Sequence, residues 1–255
     1  MNVPLLLLHG FTGSRADFVS LRQLLPQYDP IALDLPGHGD NPSPAPYTMA
    51  HAAAAVVAQM EELVGKRPFN LLGYSMGGRL ALYIALHYPD SIASLILESA
   101  SPGLATAEAR QQRRQRDNAL ADRIVQDGIV EFVNFWEKLS LWESQQQLSP
   151  QVRADLRHKR LQNDPHGLAN SLRGMGTGVQ PSLWSRLGEL TMPIHLIVGA
   201  LDHKFVAIAH EMAAAMGDVR LDVVAGAGHT VHLERPLMFQ QLIINSQQLT
   251  INGVR

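Results

Sequence analysis

Residues 73–78 read Gly73-Tyr74-Ser75-Met76-Gly77-Gly78, between an apolar run at 69–72 and a helix-like run at 79–87. A serine at the tip of a sharp strand-to-helix turn needs small residues two positions to either side, because the backbone there is strained and the flanking chain passes close. Gly73 and Gly77 meet that need, so Ser75 is a candidate nucleophile or base.

Outward from the turn, short apolar runs bounded by Gly, Pro or Asp alternate with longer amphipathic stretches. This is the pattern of a parallel sheet covered on both faces. It predicts strands at 4–8, 30–33, 69–72, 92–98, 194–198 and 220–224, and helices at 17–25, 49–64, 77–87, 206–216 and 236–248. Asp17 and Pro236 suit helix starts. Residues 103–187 break the rhythm, being rich in Gln, Arg and Ala with no convincing strand. They predict a helical cap set into an α/β core formed by residues 1–102 and 188–255. Phe132, Phe135, Trp136, Trp142 and Trp184 all fall in the cap segment.

The chain has 255 residues, 46% hydrophobic and 17% charged, a composition that supplies a large buried core. Its net charge of -2 gives no general attraction to nucleic acid or to an anionic membrane. The charge is uneven, however: twelve of the 21 Lys and Arg residues, ten of them Arg, lie between Gly103 and Arg186 against nine acidic residues. With no cysteine, disulfides and thiolate zinc sites are excluded. The start, Met1-Asn2-Val3-Pro4 followed by four leucines, lacks a basic leader region and a cleavage site. No stretch approaches a membrane span. A cytoplasmic protein is the expectation.

A serine hydroxyl is a poor nucleophile or base until an imidazole accepts its proton and a carboxylate fixes that imidazole's tautomer. After an elbow of this kind the expected order is Ser, then Asp, then His. Asp202 follows the predicted strand at 194–198, and His229 follows the one at 220–224 inside Gly226-Ala227-Gly228-His229. Both then stand at the carboxyl edge of the sheet, where open α/β sheets bind ligands. Asp202 also suits a turn or cap, and His232 is a rival base. Backbone N–H donors for a developing anion would come from Met76 and from Phe11, in the loop after the first strand. His9, Asp34 and His38 read as structural residues of tight turns, and Glu98 as a strand end. Arg79, one helical turn after Ser75, is placed to project beside it. Arg110, Arg113, Arg114 and Arg116 suit a solvated helix face, at least in part.

With His9-Gly10-Phe11, the turn at 34–39, the elbow, Asp202 and His229 in register, the chain resembles the α/β-hydrolase superfamily over nearly its whole length. That resemblance implies a mostly parallel sheet flanked by helices with an inserted helical cap. Because few residues precede His9, the antiparallel strands that often open this fold are expected to be reduced. That leaves a sheet edge through which a dimer is conceivable.

Three stretches are similar to the 2-succinyl-6-hydroxy-2,4-cyclohexadiene-1-carboxylate synthase family of menaquinone biosynthesis. They are the elbow continued to Arg79, Glu98-Ser-Ala-Ser-Pro-Gly-Leu104 with the Arg-rich segment 107–117, and Leu201-Asp-His-Lys-Phe205. The resemblance implies a lyase that eliminates pyruvate from a small polycarboxylate without a cofactor; no metal is expected, and the open sheet edge leaves a monomer or homodimer. The resemblance also implies Ser75, Asp202 and His229 as a proton-abstracting triad and Phe11 and Met76 as the oxyanion hole. Tyr74, Arg79, Arg113, Trp136 and Arg160 would be substrate contacts, since guanidinium forks match carboxylates bidentately. The alternative is a serine hydrolase of carboxylated esters or carbon–carbon bonds.

Overall fold

The computed structural model describes residues 3–42 and 45–251. Met1 and Asn2, the head of the segment read for a leader, and residues 252–255 of the core lie outside them. Six strands, β1 (Leu5–Leu8), β2 (Ile31–Leu33), β3 (Phe69–Tyr74), β4 (Ile92–Glu98), β5 (Ile194–Gly199) and β6 (Val219–Val224), form one sheet in the order β2-β1-β3-β4-β5-β6. Every neighbouring pair is parallel.

The four leucines of β1 are fully buried and divide between the two faces of the sheet. Leu6 and Leu8 join the cluster built on Leu71, Leu80 and Leu196, while Leu5 and Leu7 join that of Phe18, Leu72 and Phe239. A strand covered on both sides reads as a continuous apolar run, because neither set of alternating side chains meets water. Burying each such leucine contributes about 1.5–3 kcal/mol relative to exposure.

The helices are α1 (Val19–Leu24), α2 (Met49–Val64), α3 (Met76–His87), α4 (Ala107–Trp136), α5 (Pro150–Leu161), α6 (Pro165–Met175), α7 (His203–Ala215), α8 (Val231–Glu234) and α9 (Pro236–Ile251). α2 and α3 pack on each other, and α7 lies against β5 and β6. Two expected helix starts move. Asp17 is not a first residue: a 3-10 turn at Arg15–Phe18 precedes α1, with Ser14 as its cap and the Asp17 carboxylate accepting the Ser14 N–H. α7 begins three residues earlier than the apolar pattern at 206–216, because Asp202 caps it through Phe205 N–H.

Between β4 and β5 the described residues form α4, α5, α6 and 3-10 turns, with no strand. α4 breaks at Gly128, whose φ is +81°. Its apolar face, Ala121, Ile124, Phe132 and Val133, packs on Leu168, Ala169 and Leu172 of α6 in a small core of its own. Phe11, from the loop after β1, joins that core and ties it to the sheet.

Candidate active site

The sheet register aligns the strand ends that matter. Leu8 pairs with Gly73, Tyr74 with Glu98, Glu98 with Ile197, and Gly199 with Val224. The residues that follow these ends therefore converge over one edge of the sheet. Ser75 sits between β3 and α3 at φ +50°, a left-handed conformation that is costly for a residue with a side chain. The turn survives because its flanks are glycines. A Cβ on Gly73 would lie 2.6 Å from Gly78 Cα, and one on Gly77 2.5 Å from the His9 carbonyl oxygen. Ser75 N–H donates to Glu98 O at 2.9 Å, which locks the elbow to β4.

The His229 ring lies within hydrogen-bond reach of both partners. Its Nδ1 is 2.6 Å from Asp202 Oδ2, and its Nε2 is 3.0 Å from Ser75 Oγ. A carboxylate only accepts, so Nδ1 carries the proton and Nε2 is left to accept from the serine. Tyr74, Trp142 and Phe205 surround the imidazole with ring centroids 5.6, 5.7 and 4.6 Å away, and His229 is fully buried. Both readings of Asp202 hold together: Oδ1 caps α7 while Oδ2 holds His229.

The rival base is occupied elsewhere. His232 Nδ1 is 2.7 Å from Glu98 Oε2, and its backbone N–H donates to Glu98 Oε1. Burial disfavours the charged ring, yet the charge and hydrogen bond of Glu98 outweigh it and raise the His232 pKa. Glu98 thus docks α8 to β4, a duty that its position as a strand end did not reveal. His9 and His38 are structural, as expected: His9 Nε2 accepts Leu35 N–H at 3.0 Å, and the His38 ring packs 5.0 Å from it. Burial, reinforced by His9, lowers the His38 pKa to about 3. Asp34 accepts the N–H groups of Arg15 and Asp40.

A cavity of about 240 Å³ opens over Ser75, with Phe11, Tyr74, Met76, Arg79, Arg113, Trp136 and His229 on its wall. Met76 is the first residue of α3, so its N–H has no partner within the helix. Gly10 brings the loop after β1 close, since a Cβ there would lie 3.5 Å from Ser75 Cβ. That places the backbone of Phe11 beside the elbow. Tyr74 turns its hydroxyl away from the serine, 2.8 Å from Thr230 Oγ1. Trp136 packs edge-on against Phe11 with centroids 5.4 Å apart, so it both lines the cavity and anchors the helices above it.

Arg79 Nη1 donates to Met175 O at 2.8 Å and to Gln180 Oε1 at 2.9 Å, both neutral acceptors. Burial, with the Arg113 charge adding to it, lowers its pKa to about 10, which leaves it cationic at neutral pH. Arg113 Nε–H donates to Asp117 Oδ1 at 2.7 Å. Among the other α4 arginines, Arg110 bonds the Leu104 and Ala105 carbonyls, and Arg114 and Arg116 are exposed.

The structure does not bring Arg160 to the Ser75 cavity. Its guanidinium donates to Glu137 Oε1 and Gln145 Oε1 and stacks 5.2 Å from the Trp142 ring. It lines a neighbouring cavity of about 170 Å³ that shares Phe11, Tyr74 and Trp142 with the first. The physical reason is that Glu137 and the 3-10 turn carrying Gln145 offer a charge-matched, desolvated berth on the far side of Trp142. Sequence reasoning also missed Gln180, Thr230 and Glu234. Thr230 adjoins His229 in the chain and Glu234 follows within the same short segment, but nothing in the sequence marks Gln180, which meets Arg79 across 101 positions. Among the described residues no group of three or more His, Asp or Glu side chains is arranged to hold a metal, and no helix is long and apolar enough to cross a membrane.

An eccentric serine on a glycine-flanked elbow, backed by Asp and His from later strand ends of a parallel sheet, defines the class. The chain belongs to the alpha/beta hydrolase fold family, whose model matches residues 3–236. Within it the chain belongs to the 2-succinyl-6-hydroxy-2,4-cyclohexadiene-1-carboxylate synthase family. It is 43% identical, over 92% of its length and 87% of the relative's, to a Bacillus subtilis (strain 168) protein provisionally named as that synthase. It is 31% identical to the synthase of Serratia proteamaculans (strain 568), over 92% of this chain and 89% of that one. The solved structure of MenH from S. aureus superposes with a TM-score of 0.95 at 35% identity, covering 98% of this chain and 95% of that chain.

Proposed function

We propose that this chain eliminates pyruvate from 2-succinyl-5-enolpyruvyl-6-hydroxy-3-cyclohexene-1-carboxylate to give 2-succinyl-6-hydroxy-2,4-cyclohexadiene-1-carboxylate, with Ser75, His229 and Asp202 as the proton-abstracting triad. The observation that carries this reading is Arg79, a partly buried guanidinium on the wall of the same cavity as Ser75, with no carboxylate partner among the described residues. A neutral ester would leave that charge unanswered, whereas a polycarboxylate answers it.

The two compound names define the bond changes. The C2–H bond beside the succinyl ketone breaks, its electrons form C2=C3, the former C3=C4 pair moves to C4=C5, and the enolpyruvyl oxygen leaves C5. Ser75 Oγ takes the ring proton as His229 Nε2 takes the serine proton, and Asp202 stabilises the resulting imidazolium. The ketone oxygen gathers negative charge meanwhile, and the Phe11 and Met76 N–H groups are the donors for it. His229 returns the proton to the departing enol oxygen, and the enol becomes pyruvate.

In this reading residues 103–187 form the cap over the reaction. Leu104, Arg113, Leu120, Trp136 and Met175 come from that segment and line the cavity. Arg79 and Arg113 orient carboxylates, Trp136 supplies an apolar wall, and Tyr74 presents its ring. Arg160 acts at one remove by holding Trp142. The test is pyruvate release from the enolpyruvyl precursor by the protein and by Ser75→Ala. Release that depends on Ser75 supports the proposal; none above background, or release unchanged in Ser75→Ala, ends it. Rapid turnover of short neutral esters would instead favour a hydrolase.

A further inference from the structure

The loop that carries His229 contains Gly226 and Gly228, and glycines leave a loop many conformations unless something fixes it. What fixes it here is a buried carboxylate. Glu234, 6% exposed, accepts the Gly228 N–H through Oε2 at 2.7 Å and the Thr230 N–H through Oε1 at 3.1 Å. These are the residues immediately before and after His229. No Lys, Arg or His pairs with Glu234 among the described residues. Burying a carboxylate with only backbone partners is costly, and an apolar residue would fill the same volume more cheaply. The carboxylate does one thing an apolar side chain cannot, which is to grip the N–H groups of the residues on either side of His229.

We propose that Glu234 is a positioning residue for the triad: its two oxygens clamp the N–H groups of Gly228 and Thr230, the neighbours of His229, and thereby hold the imidazole between Asp202 and Ser75. A second contact makes the clamp a link to the cap. Thr230, whose N–H is held by Glu234, meets the Tyr74 hydroxyl and accepts Gln145 Nε2–H at 3.1 Å. The clamp therefore fixes His229 relative to the residue preceding Ser75 and to the turn bearing Trp142. It acts through His229 and touches no substrate. Glutamine in its place keeps the shape but presents an NH2 group to one of the two N–H donors, which opens one jaw.

The inference rests on the triad reading above, and its test separates the two. In Glu234→Gln, kcat for pyruvate release is expected to fall about 10- to 100-fold, as misplacement of a reacting group by a fraction of an ångström to 1 Å does, with KM within about twofold. Labelling of Ser75 by a fluorophosphonate, which needs no substrate pocket, should slow in parallel. The far-downfield proton resonance of His229 Nδ1–H should shift or vanish. In the unaltered protein the Gly228 and Thr230 amides should exchange slowly with solvent, a measurement that does not depend on any variant folding. A folded Glu234→Gln with unchanged kcat and labelling rate, or fast exchange of both amides, overturns the clamp. If Ser75→Ala still releases pyruvate, the triad reading fails first.

Discussion

Arg79 and Arg113 line one cavity, and among the described residues only Arg113 of the two has a carboxylate partner: its Nε–H donates to Asp117, while Arg79 donates to Met175 O and Gln180 Oε1. Asp117 also accepts the Gly178 N–H at 3.1 Å, so it serves the fold as well as Arg113. The Arg113 charge helps burial to lower the Arg79 pKa, while the Asp117 carboxylate opposes it.

The first prediction concerns that charge. Arg79→Lys keeps the cation but loses the fork, and a charge-assisted hydrogen bond is worth about 1.5–3 kcal/mol. Steady-state kinetics should show kcat/KM for pyruvate release reduced roughly 10- to 150-fold. Arg113→Lys should cost less, because Asp117 already neutralises Arg113. Equal losses in the two variants would contradict the asymmetry.

Asp202 has two duties, which a pair of substitutions separates. Asn caps helices about as well as Asp, so Asp202→Asn should melt close to the parent while pyruvate release drops by about 10²- to 10⁴-fold, the imidazole being held in the wrong tautomer. Asp202→Ala loses the α7 cap too and should unfold about 1 kcal/mol more easily. A calorimetric scan beside the assay checks both. Were Asp202→Asn fully active, the carboxylate would be a cap alone.

The elbow predicts a stability defect with no chemistry in it. Gly77→Ala forces a methyl group against the Leu8 and His9 carbonyl oxygens, and Gly73→Ala forces one against Gly77 and Gly78. These neighbours are backbone and yield little, so each change should lower unfolding free energy by about 1–3 kcal/mol or more in urea titration. Gly65→Ala is the contrast in space alone. Nothing lies within 4 Å of its Cβ position, although its φ of +78° still carries strain.

Two histidines give opposite pH signatures. His38 is buried neutral with a pKa of about 3 against 6.5 for an ordinary histidine. The unfolded chain takes up a proton below pH 6.5 that the folded one refuses, so stability falls as pH drops from 6.5 towards 3, by up to on the order of 4 kcal/mol. His38→Asn should flatten that limb of the stability curve. His232 is raised by Glu98, so its contribution is fully present below 6.5 and fades as pH rises through its folded value. The stability lost in His232→Gln should accordingly shrink as pH increases from 6.5. Chemical denaturation at a series of pH values reads both slopes, and identical slopes in variant and parent would refute the assignment.

Much of this was legible in the chain. The strand at 92–98 and the helix at 49–64 were bounded correctly, because apolar periodicity and flanking turn residues are local properties. The convergence of Ser75, Asp202 and His229 followed from their places after strand ends, since a parallel sheet puts all its carboxyl ends on one edge. Between His229 and His232 the sequence offers only weaker signals, the glycine before His229 and the helix-like run after it. The partner that settles where the His232 ring goes, Glu98, lies 134 positions away.

The sequence by itself determined the elements, the elbow and the order of the reactive residues, for these depend on side-chain period, glycine and chain direction. Only the tertiary structure decided how the side chains between β4 and β5 divide. Arg113 and Trp136 reach the Ser75 cavity, Arg160 turns to Glu137 and Gln145 behind Trp142, and Gln180 comes across to Arg79. A long arginine on an amphipathic helix suits either a ligand or a counter-ion. Which one it meets depends on how helices from distant parts of the chain pack, and helical period does not encode that.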